Sequence, residues 1–470
     1  MQILFFFTLI WAVYASIHFI YLFQIKEYRF DRFISSLKEF GTFKLLYTLD
    51  IKRPALTVRN ILLVLIIGMM MVTISYAGFI NPLVVTIITF IGPFAPIGAL
   101  VLVGLGVVIT NVPAHFYRLS IIKRAKAKMK HSKAVVIGVT GSYGKTSVKE
   151  YLYHILSTKY KVAKTDKNMN SDVGIALSIL HNLTSETEYF IAEFGAYKRG
   201  EVRTSVQFVP IHHAILTPLG NQHFDLYGSH VALIDEETYI LTQVPADGTI
   251  YGYDQALELP SLMGKKITYG LSDKADVIAH DVKLTSRETT ALVTYKGRTL
   301  TVRTRLLGEH SVANLLPAIA CALDRGMTTD QVEQAIQTIR PLEGKLSTHP
   351  GPNGSIVLYD GLTANIDGFI AAVKTMSLFP HQKKIVITQG VIELGVEKRQ
   401  SYQRVLAALS RYNGILLTTD AVFGELSDEK SVITFNDVSS LMNYLHLATT
   451  SDTLILIEGR FSNTVIQQLI

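Results

Sequence analysis

Residues 60–117 contain no Asp, Glu, Lys or Arg, and the first charged residue of the chain is Lys26. Uncharged stretches of this length constrain the fold, because a helix needs about 20 apolar residues to cross a bilayer. Residues 2–24 and 61–80 each meet that length, and residues 83–112 form a third apolar run. The sequence therefore predicts a transmembrane region over residues 1–117.

The third run is interrupted by the sequence GPFAP at residues 92–96. It fits either one tilted span with a proline kink or a span followed by a re-entrant turn. Residues 2–24 lack the basic start and small-residue cleavage site of a secretory signal peptide, so we expect them to remain in the protein. Buried core helices are the alternative for any single run, but three charge-free runs in succession disfavour them.

Basic residues give the orientation of these spans. Lys and Arg are abundant between residues 26 and 59, seven more lie in residues 118–133, and none lies in residues 78–82. The positive-inside rule then favours an odd number of spans, an external N-terminus and a cytoplasmic chain after Arg118. We expect residues 118–133 to be a basic linker that contacts anionic lipid headgroups. Since no recognition motif accompanies them, we expect no nucleic-acid partner.

The sequence VVIGVTGSYGKTSVKEYL at residues 135–152 predicts a strand, a glycine-rich turn and a helix N-terminus. Backbone N–H groups and the helix dipole converge on an anion in this arrangement, which is typical of a phosphate site. It follows the variant T-G-S-x-G-K-T pattern. We expect Lys145 to reach the outer phosphates of ATP and Thr146 to hold Mg²⁺. The predicted phosphate-binding residues are Gly141, Ser142, Gly144, Lys145, Thr146 and Ser147.

After Lys133, short apolar strands alternate with helical stretches, which predicts a parallel α/β sheet. Functional side chains are expected where such strands end. Glu193 follows the strand YFIA, His223 follows AILTPLGNQ, and Asn168 and Asn170 follow a strand at residues 161–165. The chain has one Cys, which excludes a disulfide framework and a cysteine zinc site.

Seven segments occur in the order and approximate spacing of the Mur ligase family: GVTGSYGKTSVKEYL, TDKNMNSDVGIALSIL, IAEFGAYKRGEV, ILTPLGNQHFDLYGS, GEHSVANLLPAIA, LEGKL and DGLTANIDGFIAAV. The chain most resembles the branch of UDP-N-acetylmuramoyl-tripeptide:D-alanyl-D-alanine ligases. The resemblance implies an ATP-binding P-loop central domain at residues 134–340 and a smaller α/β C-terminal domain at residues 341–470. It also implies amide-bond formation through an acyl phosphate, with ATP and Mg²⁺ as cofactors.

The family's residue roles carry over to individual positions. Lys145 resembles the γ-phosphate lysine, Thr146 and Glu193 resemble metal ligands, and His223 resembles the histidine of a second metal. Nucleotide contacts are implied for Asn314, Lys345 and Asp360, and substrate contacts for Asn168, Asn170 and Asn365. The family often has Asn where Ser311 stands.

Glu237 marks a departure from the family. Counted without gaps from His223, it occupies the place of a carbamylated lysine, so we predict a catalytic role in which its carboxylate supplies the same charge. Neutralising its neighbours Asp235 or Glu236 is expected to have little effect. The alternative is that all three acids form one solvated helix turn.

Other departures from the family lie in the C-terminal domain and in the N-terminal region. Gly390 stands where the family has Asp in G-D-M-x-E-L-G, and Glu458 and Arg460 depart from K-G-S-R. These changes concern the domain that receives the amine. Where the family has the domain that binds the UDP-sugar, we expect membrane spans in this chain. We therefore expect a membrane-anchored ligase that acts on a cell-envelope precursor, and its position allows that precursor to be lipid-linked. A capsule-type polyamide synthetase and a nucleotide-binding membrane scaffold without ligase activity remain alternatives.

Overall fold

A computed structural model describes residues 2–40, 46–47, 52–167, 169–195, 200–220, 230–253, 262–362, 365–391, 394, 397–427 and 431–470. The chain divides into two compact units, residues 1–121 and residues 122–470. The first unit is helical among its described residues, and the second contains two sheets.

The N-terminal unit contains helices that are apolar on most faces. Three helical segments are long and apolar enough to cross a membrane: Gln2–Ile25, Val58–Ile80 and Gly92–Lys130. Their mutual packing buries Phe19, Phe23, Leu63 and Val103. The helices of this part of the chain are Gln2–Ile25, Phe30–Phe40, Val58–Ile80, Pro82–Phe90 and Ala95–Lys130, with a 3₁₀ turn at Gly92–Phe94.

The third apolar run is not one continuous helix. A short helix, Pro82–Phe90, precedes the 3₁₀ turn at Gly92–Phe94, and the long helix begins at Ala95. The division falls at the GPFAP sequence, where proline removes a backbone donor. The same long helix continues to Lys130 through most of the basic segment that we interpreted as a linker. Lys, Arg, Ala and Met are strong helix formers, so basic composition here does not indicate an irregular linker.

The first sheet of the second unit has nine strands in the order β2-β3-β1-β4-β5-β6-β7-β8-β9. Strands β1 to β7 pair in parallel, and β7, β8 and β9 form an antiparallel meander that the sequence interpretation missed. The strands are β1 Val135–Thr140, β2 Val162–Lys164, β3 Tyr189–Glu193, β4 His213–Leu216, β5 Thr249–Tyr253, β6 Lys265–Gly270, β7 Val277–Leu284, β8 Thr289–Tyr295 and β9 Arg298–Thr304.

Two helices pack together against this sheet and bury most of its core. Helix Lys145–Ser157 places Val148 and Leu152 in the core, and helix Glu309–Asp324 contributes Val312 and Leu316. The remaining helices of this part are Asp172–Asn182, Glu201–Val206, His230–Thr238 and Thr329–Gln337, with a 3₁₀ helix at Tyr239–Gln243.

The second sheet has six strands in the order β10-β11-β15-β12-β13-β14. Its strands are parallel except for β10, which pairs antiparallel with β11. The strands are β10 Ser347–Pro350, β11 Ile356–Asp360, β12 Lys383–Thr388, β13 Gly414–Thr418, β14 Val432–Thr434 and β15 Thr453–Glu458. The helices around it are Ile366–Met376, Lys398–Arg411, Ala421–Glu425, Val438–Ala448 and Asn463–Leu469, with a 3₁₀ turn at Pro352–Gly354.

Candidate active site

The turn after β1 has the conformation that its glycines require. Gly141 has φ +119° and Gly144 has φ +80°, and both values lie in the region that L side chains rarely adopt. A Cβ at Gly141 would lie 2.4 Å from Thr217 Oγ1, and one at Gly144 would lie 2.4 Å from Asn314 Oδ1. Asn314, predicted as a nucleotide contact, therefore packs directly against the turn.

The segment after β4 supports this turn. The backbone N–H groups of Ser142 and Tyr143 both donate to the Pro218 carbonyl at 3.1 Å. The Gly220 N–H donates to Ser142 Oγ at 2.9 Å. Two chain segments that are far apart in sequence thus hold the loop in shape, a role that our sequence analysis did not assign.

Lys145 begins the helix and folds back over the turn. Its ammonium group donates to the carbonyl oxygens of Gly141 and Ser142, with a distance of 3.3 Å to the latter. The cation therefore lies over the loop that a phosphate would occupy.

Glu193 lies at the end of β3, beside β1, and its side chain is only 2% exposed. Its Oε1 accepts hydrogen bonds from Thr146 Oγ1 at 3.1 Å and from Asn170 Nδ2 at 3.2 Å. Three residues that we predicted from separate motifs are thus brought together at one sheet edge.

Lys149 completes this cluster and was missed by the sequence analysis. The side chain is fully buried, and its Nζ lies 3.1 Å from Glu193 Oε2 and 3.5 Å from Glu150 Oε1. It also donates to the Lys167 carbonyl at 2.5 Å. The available signal was the spacing from Lys145, because residues four apart share a helix face.

The acidic run at residues 235–237 does not form one solvated turn. Asp235 is half-exposed and pairs with Arg203 at 3.0 Å. Glu236 is fully buried and accepts the backbone N–H groups of Gly200 and Val202, each at 2.8 Å, at the start of helix Glu201–Val206. Our expectation that neutralising Glu236 has little effect stays a prediction, and these contacts disfavour it, because losing an acceptor leaves a buried donor unsatisfied.

Glu237 faces the phosphate loop. Its side chain is buried, and its Oε2 accepts a hydrogen bond of 2.6 Å from Ser142 Oγ. Its backbone carbonyl also accepts from Thr140 Oγ1 at 2.5 Å. Glu237 is therefore not part of a solvated helix turn, and that alternative interpretation is wrong for this residue.

Ser147 and Ser311 share a neighbour in Tyr151. Their hydroxyl groups interact with its phenol, and burial raises the pKa of Tyr151 to about 12. The Ser311 hydroxyl also donates to the Leu307 carbonyl at 2.7 Å. These contacts join the phosphate-loop helix to helix Glu309–Asp324.

The third-domain residues lie at the ends of the second sheet. Asp360 ends β11 and is buried, and the Lys345 ammonium donates to the Leu362 carbonyl at 3.0 Å. Burial lowers the pKa of Lys345, while the charges of Asp360, Glu458 and Glu193 act in the opposite direction. The charges of carboxylates from both sheets therefore act on the pKa of Lys345.

Asn365 has a structural role that is visible directly. Its side chain caps helix Ile366–Met376 by accepting the Gly368 N–H at 2.7 Å. Its substrate role stays a prediction, as do those of Asn168 and His223, which lie outside the described residues.

The donor set at the Glu193 cluster fits a hard divalent cation. A carboxylate and a hydroxyl supply oxygen ligands, and Mg²⁺ in phosphate-transfer sites uses one or two carboxylates together with phosphate oxygens and water. Within the described part of the chain, no group of three or more His, Cys, Asp or Glu side chains surrounds a common point. Glu193 and Thr146 would thus hold Mg²⁺ together with ligands from the nucleotide.

Comparisons with known proteins agree with this geometry. Residues 139–322 match the Mur ligase middle domain. The chain is 30% identical over 282 residues to the UDP-N-acetylmuramoyl-tripeptide--D-alanyl-D-alanine ligase of Treponema pallidum, covering 58% of this chain and 59% of that protein. For the ligase of the same name from Escherichia coli the identity is 28%, over 58% of this chain and 61% of that protein. The chain therefore spans less than two thirds of these relatives.

Solved structures share the fold. MurF from Acinetobacter baumannii superposes with a TM-score of 0.67 at 21% identity, covering 74% of this chain and 80% of that one. MurF ligase from Thermotoga maritima, solved in complex with ADP, superposes with a TM-score of 0.66 at 21% identity, over 75% and 82% of the two chains. The fold class that we predicted for the two C-terminal domains is confirmed.

Proposed function

Because residues 139–322 of this chain form a Mur ligase middle domain, we propose that the protein is an ATP-dependent ligase that joins a carboxylate to an amine in a peptidoglycan-type precursor. The observation that carries the proposal is the cluster at the phosphate loop. Lys145 lies over the turn, and Thr146, Asn170 and Lys149 all contact Glu193. The nucleotide supplies the phosphoryl group that activates the carboxylate, so that the amine can displace phosphate; ATP is proposed because a structural neighbour was solved with ADP.

The reaction proceeds in two balanced steps. An oxygen of the acid substrate attacks the γ-phosphorus of ATP, and the bond to the β-phosphate oxygen breaks, which gives an acyl phosphate and ADP. The nitrogen of the amine then attacks the acyl carbon, loses a proton and expels inorganic phosphate. One amide bond forms for each ATP hydrolysed to ADP and phosphate.

The residues of the chain act mainly by position and charge. Lys145 stabilises negative charge on the transferred phosphoryl group, and Glu237 fixes the loop through its hydrogen bond to Ser142. Glu193 and Thr146 would hold Mg²⁺, which supplies charge neutralisation between phosphate oxygens. Fixed groups of this kind lower the barrier because they need no reorganisation during the reaction.

The acid and amine are proposed by likeness to the relatives. Their printed name specifies a UDP-N-acetylmuramoyl-tripeptide as the acid and D-alanyl-D-alanine as the amine. The relevant test measures phosphate release by the purified full-length protein with ATP, Mg²⁺, the tripeptide precursor and the dipeptide. Release that requires both substrates supports a ligase. Release without the amine, or none at all, contradicts this proposal, and binding of ATP without release is what a scaffold would show.

We further propose that the apolar helices anchor the catalytic unit at the cytoplasmic face of a membrane. Three helices are long and apolar enough to cross a bilayer, and the basic residues of this part of the chain lie between residues 26 and 59 and after Tyr117. An anchored enzyme would meet an acid substrate that is itself attached to a membrane lipid.

This arrangement predicts the topology. A reporter fused after Ile470 should be cytoplasmic, and one inserted at Asn81, which joins helices Val58–Ile80 and Pro82–Phe90, should be external. The reporter at each site is a single cysteine, introduced into a Cys321→Ser background. Thiol labelling of intact cells then shows which of the two sites is external. A cytoplasmic result at Asn81 contradicts the assigned orientation.

Glu237→Gln should slow acyl-phosphate formation by about a hundredfold, or roughly 3 kcal/mol, because it keeps the shape of the side chain and removes its charge. Single-turnover release of ADP measures this step. Glu237→Lys should regain part of the activity only when bicarbonate is present, since the carbamate must form in a pocket shaped around a shorter stem.

Asp235→Asn is the matched control for Glu237→Gln. Asp235 lies on the same helix and is half-exposed, and its exposed ion pair with Arg203 is worth little. Glu236→Gln is unsuitable because Glu236 accepts two backbone N–H groups. Equal rates for the Asp235 and Glu237 variants would show that the Glu237 charge has no catalytic role.

A further inference from the structure

The first half of the phosphate loop uses its own donors to bind the protein. A loop that holds phosphate does so with N–H and O–H groups that converge on the anion. Here the backbone N–H groups of Ser142 and Tyr143 both donate to the Pro218 carbonyl at 3.1 Å. The Ser142 hydroxyl donates to Glu237 Oε2 at 2.6 Å. These three donors cannot bind a nucleotide unless their bonds within the protein break.

Other donors lie at the start of the following helix. Helix Lys145–Ser157 begins directly after Gly144, and the first N–H groups of a helix have no acceptor within it. They form a site for phosphate together with the Lys145 ammonium, which lies over the turn. A nucleotide that is held in this way leaves its γ-phosphate, the outermost of the three, for the side chains of the turn.

Tyr143 carries the only large side chain of the turn at residues 141–144. It is half-buried, and its phenol ring lies against Gly220, in the segment that supports the loop. A Cβ on Gly220 would lie 2.5 Å from Tyr143 Oη, so any side chain at that position would displace the phenol. The glycine therefore leaves room for the Tyr143 ring beside the loop.

The phenol lies on the flank of the loop that also contains Glu237. The Ser142 hydroxyl joins the two sides of this flank, because it accepts the Gly220 N–H at 2.9 Å and donates to Glu237. A phenol hydroxyl can donate one hydrogen bond, and such a bond to an ionised phosphate oxygen is charge-assisted and strong. Tyr143 thus places a donor of the right chemistry in the turn itself, next to the residue for which we predicted a catalytic role.

We propose that Tyr143 is a catalytic residue whose hydroxyl donates a hydrogen bond to an oxygen of the γ-phosphoryl group of ATP. When the acid oxygen bonds to the γ-phosphorus and the bond to the β-phosphate oxygen breaks, the phenol keeps its proton and its contact with the transferred group. A side chain of the loop besides Lys145 then distinguishes ATP from ADP. This inference rests on the proposed ligase function and adds a residue to its phosphoryl-transfer step.

Isothermal titration of the full-length protein in detergent with Mg²⁺ tests this inference, with ADP and the non-hydrolysable ATP analogue AMP-PNP as probes. Tyr143→Phe keeps the ring against Gly220 and removes only the hydroxyl. We expect the variant to bind the analogue about tenfold more weakly than the wild type, as the loss of a hydrogen bond to a charged group predicts. Its affinity for ADP and its melting temperature should be unchanged, because ADP has no γ-phosphoryl oxygens and the ring packing is retained.

Tyr444→Phe is the matched control, because Tyr444 is an exposed tyrosine of the second sheet's domain, and it should bind both nucleotides as the wild type does. Unchanged binding of the analogue by Tyr143→Phe would overturn the inference. An equal loss for ADP and the analogue would also overturn it, since the phenol would then shape the loop without contacting the γ-phosphate. The titrations need neither acid nor amine, so this inference can fail while the wild type still ligates, and it can hold if ligation is not observed.

Discussion

Lys145→Ala is expected to abolish ATP-dependent ligation. In the structure the Lys145 ammonium lies over the glycine-rich turn and contacts the carbonyls of Gly141 and Ser142. Lys145 is the basic residue of the segment GSYGKTS, so we expect its charge to act on the γ-phosphoryl group during transfer. Removing one preorganised charge of this kind lowers the rate by about 10²- to 10³-fold, which is roughly 3–4 kcal/mol of transition-state stabilisation.

The measurement is phosphate release by the purified full-length variant at saturating substrates. Lys274→Ala is the matched control, since Lys274 is an exposed lysine of the same unit. ADP binding should change much less than turnover, because the lost contact concerns the outermost phosphate. Membrane insertion should be unaffected. Unchanged turnover in Lys145→Ala would contradict the assignment of the nucleotide site.

The phosphate loop could be predicted because its structure is set by neighbouring residues. Glycines at positions 141 and 144 adopt positive φ, and the helix begins at Lys145, one residue after the second glycine. Such local geometry depends on the backbone preferences of a few consecutive residues. Strands β1, β3, β4 and β5 follow the same logic, since each is a short and mainly apolar run.

Contacts between distant segments could not be predicted in this way. Ser142 and Glu237 are 95 positions apart, and the partners of Glu236 lie near residue 200. Three consecutive acids look alike in a sequence, yet Asp235 is half-exposed while the next two are buried. Which of them is buried depends on the segments that pack against helix His230–Thr238, and a single sequence does not show which segments those are.

Lys149→Met is expected to destabilise the catalytic unit strongly. Lys149 is completely buried, and its nearest charged partner, Glu193, is 2% exposed. Methionine has a similar length and fills the same space, but it leaves the Glu193 carboxylate without its cation. Breaking a buried ion pair by removing one partner costs about 3–5 kcal/mol. The shift of the unfolding midpoint of the full-length protein, measured by circular dichroism in denaturant, checks this value.

The double variant Lys149→Met/Glu193→Gln separates charge from packing. It removes both charges, so most of the lost stability should return, because buried ion pairs are often replaceable by neutral groups of similar volume. Glu150 limits the recovery, since it lies 3.5 Å from the Lys149 nitrogen, but its other oxygen already pairs with Lys164. A double variant that is no more stable than Lys149→Met would show that Lys149 acts through packing rather than through charge.

The effect of Mg²⁺ on the unfolding midpoint is a second test of the charge on Glu193. Any ligand that binds only the folded state raises stability in proportion to the logarithm of its concentration over its Kd. In Lys149→Met the Glu193 carboxylate lacks its internal cation, so Mg²⁺ should bind there more tightly than in the wild type and should raise the unfolding midpoint further. Glu193→Gln should remove this response to Mg²⁺. If added Mg²⁺ shifts the wild type and Lys149→Met equally, the lysine and the metal do not compete for the carboxylate. A response to Mg²⁺ that survives in Glu193→Gln would show that Glu193 is a structural acid rather than a metal ligand.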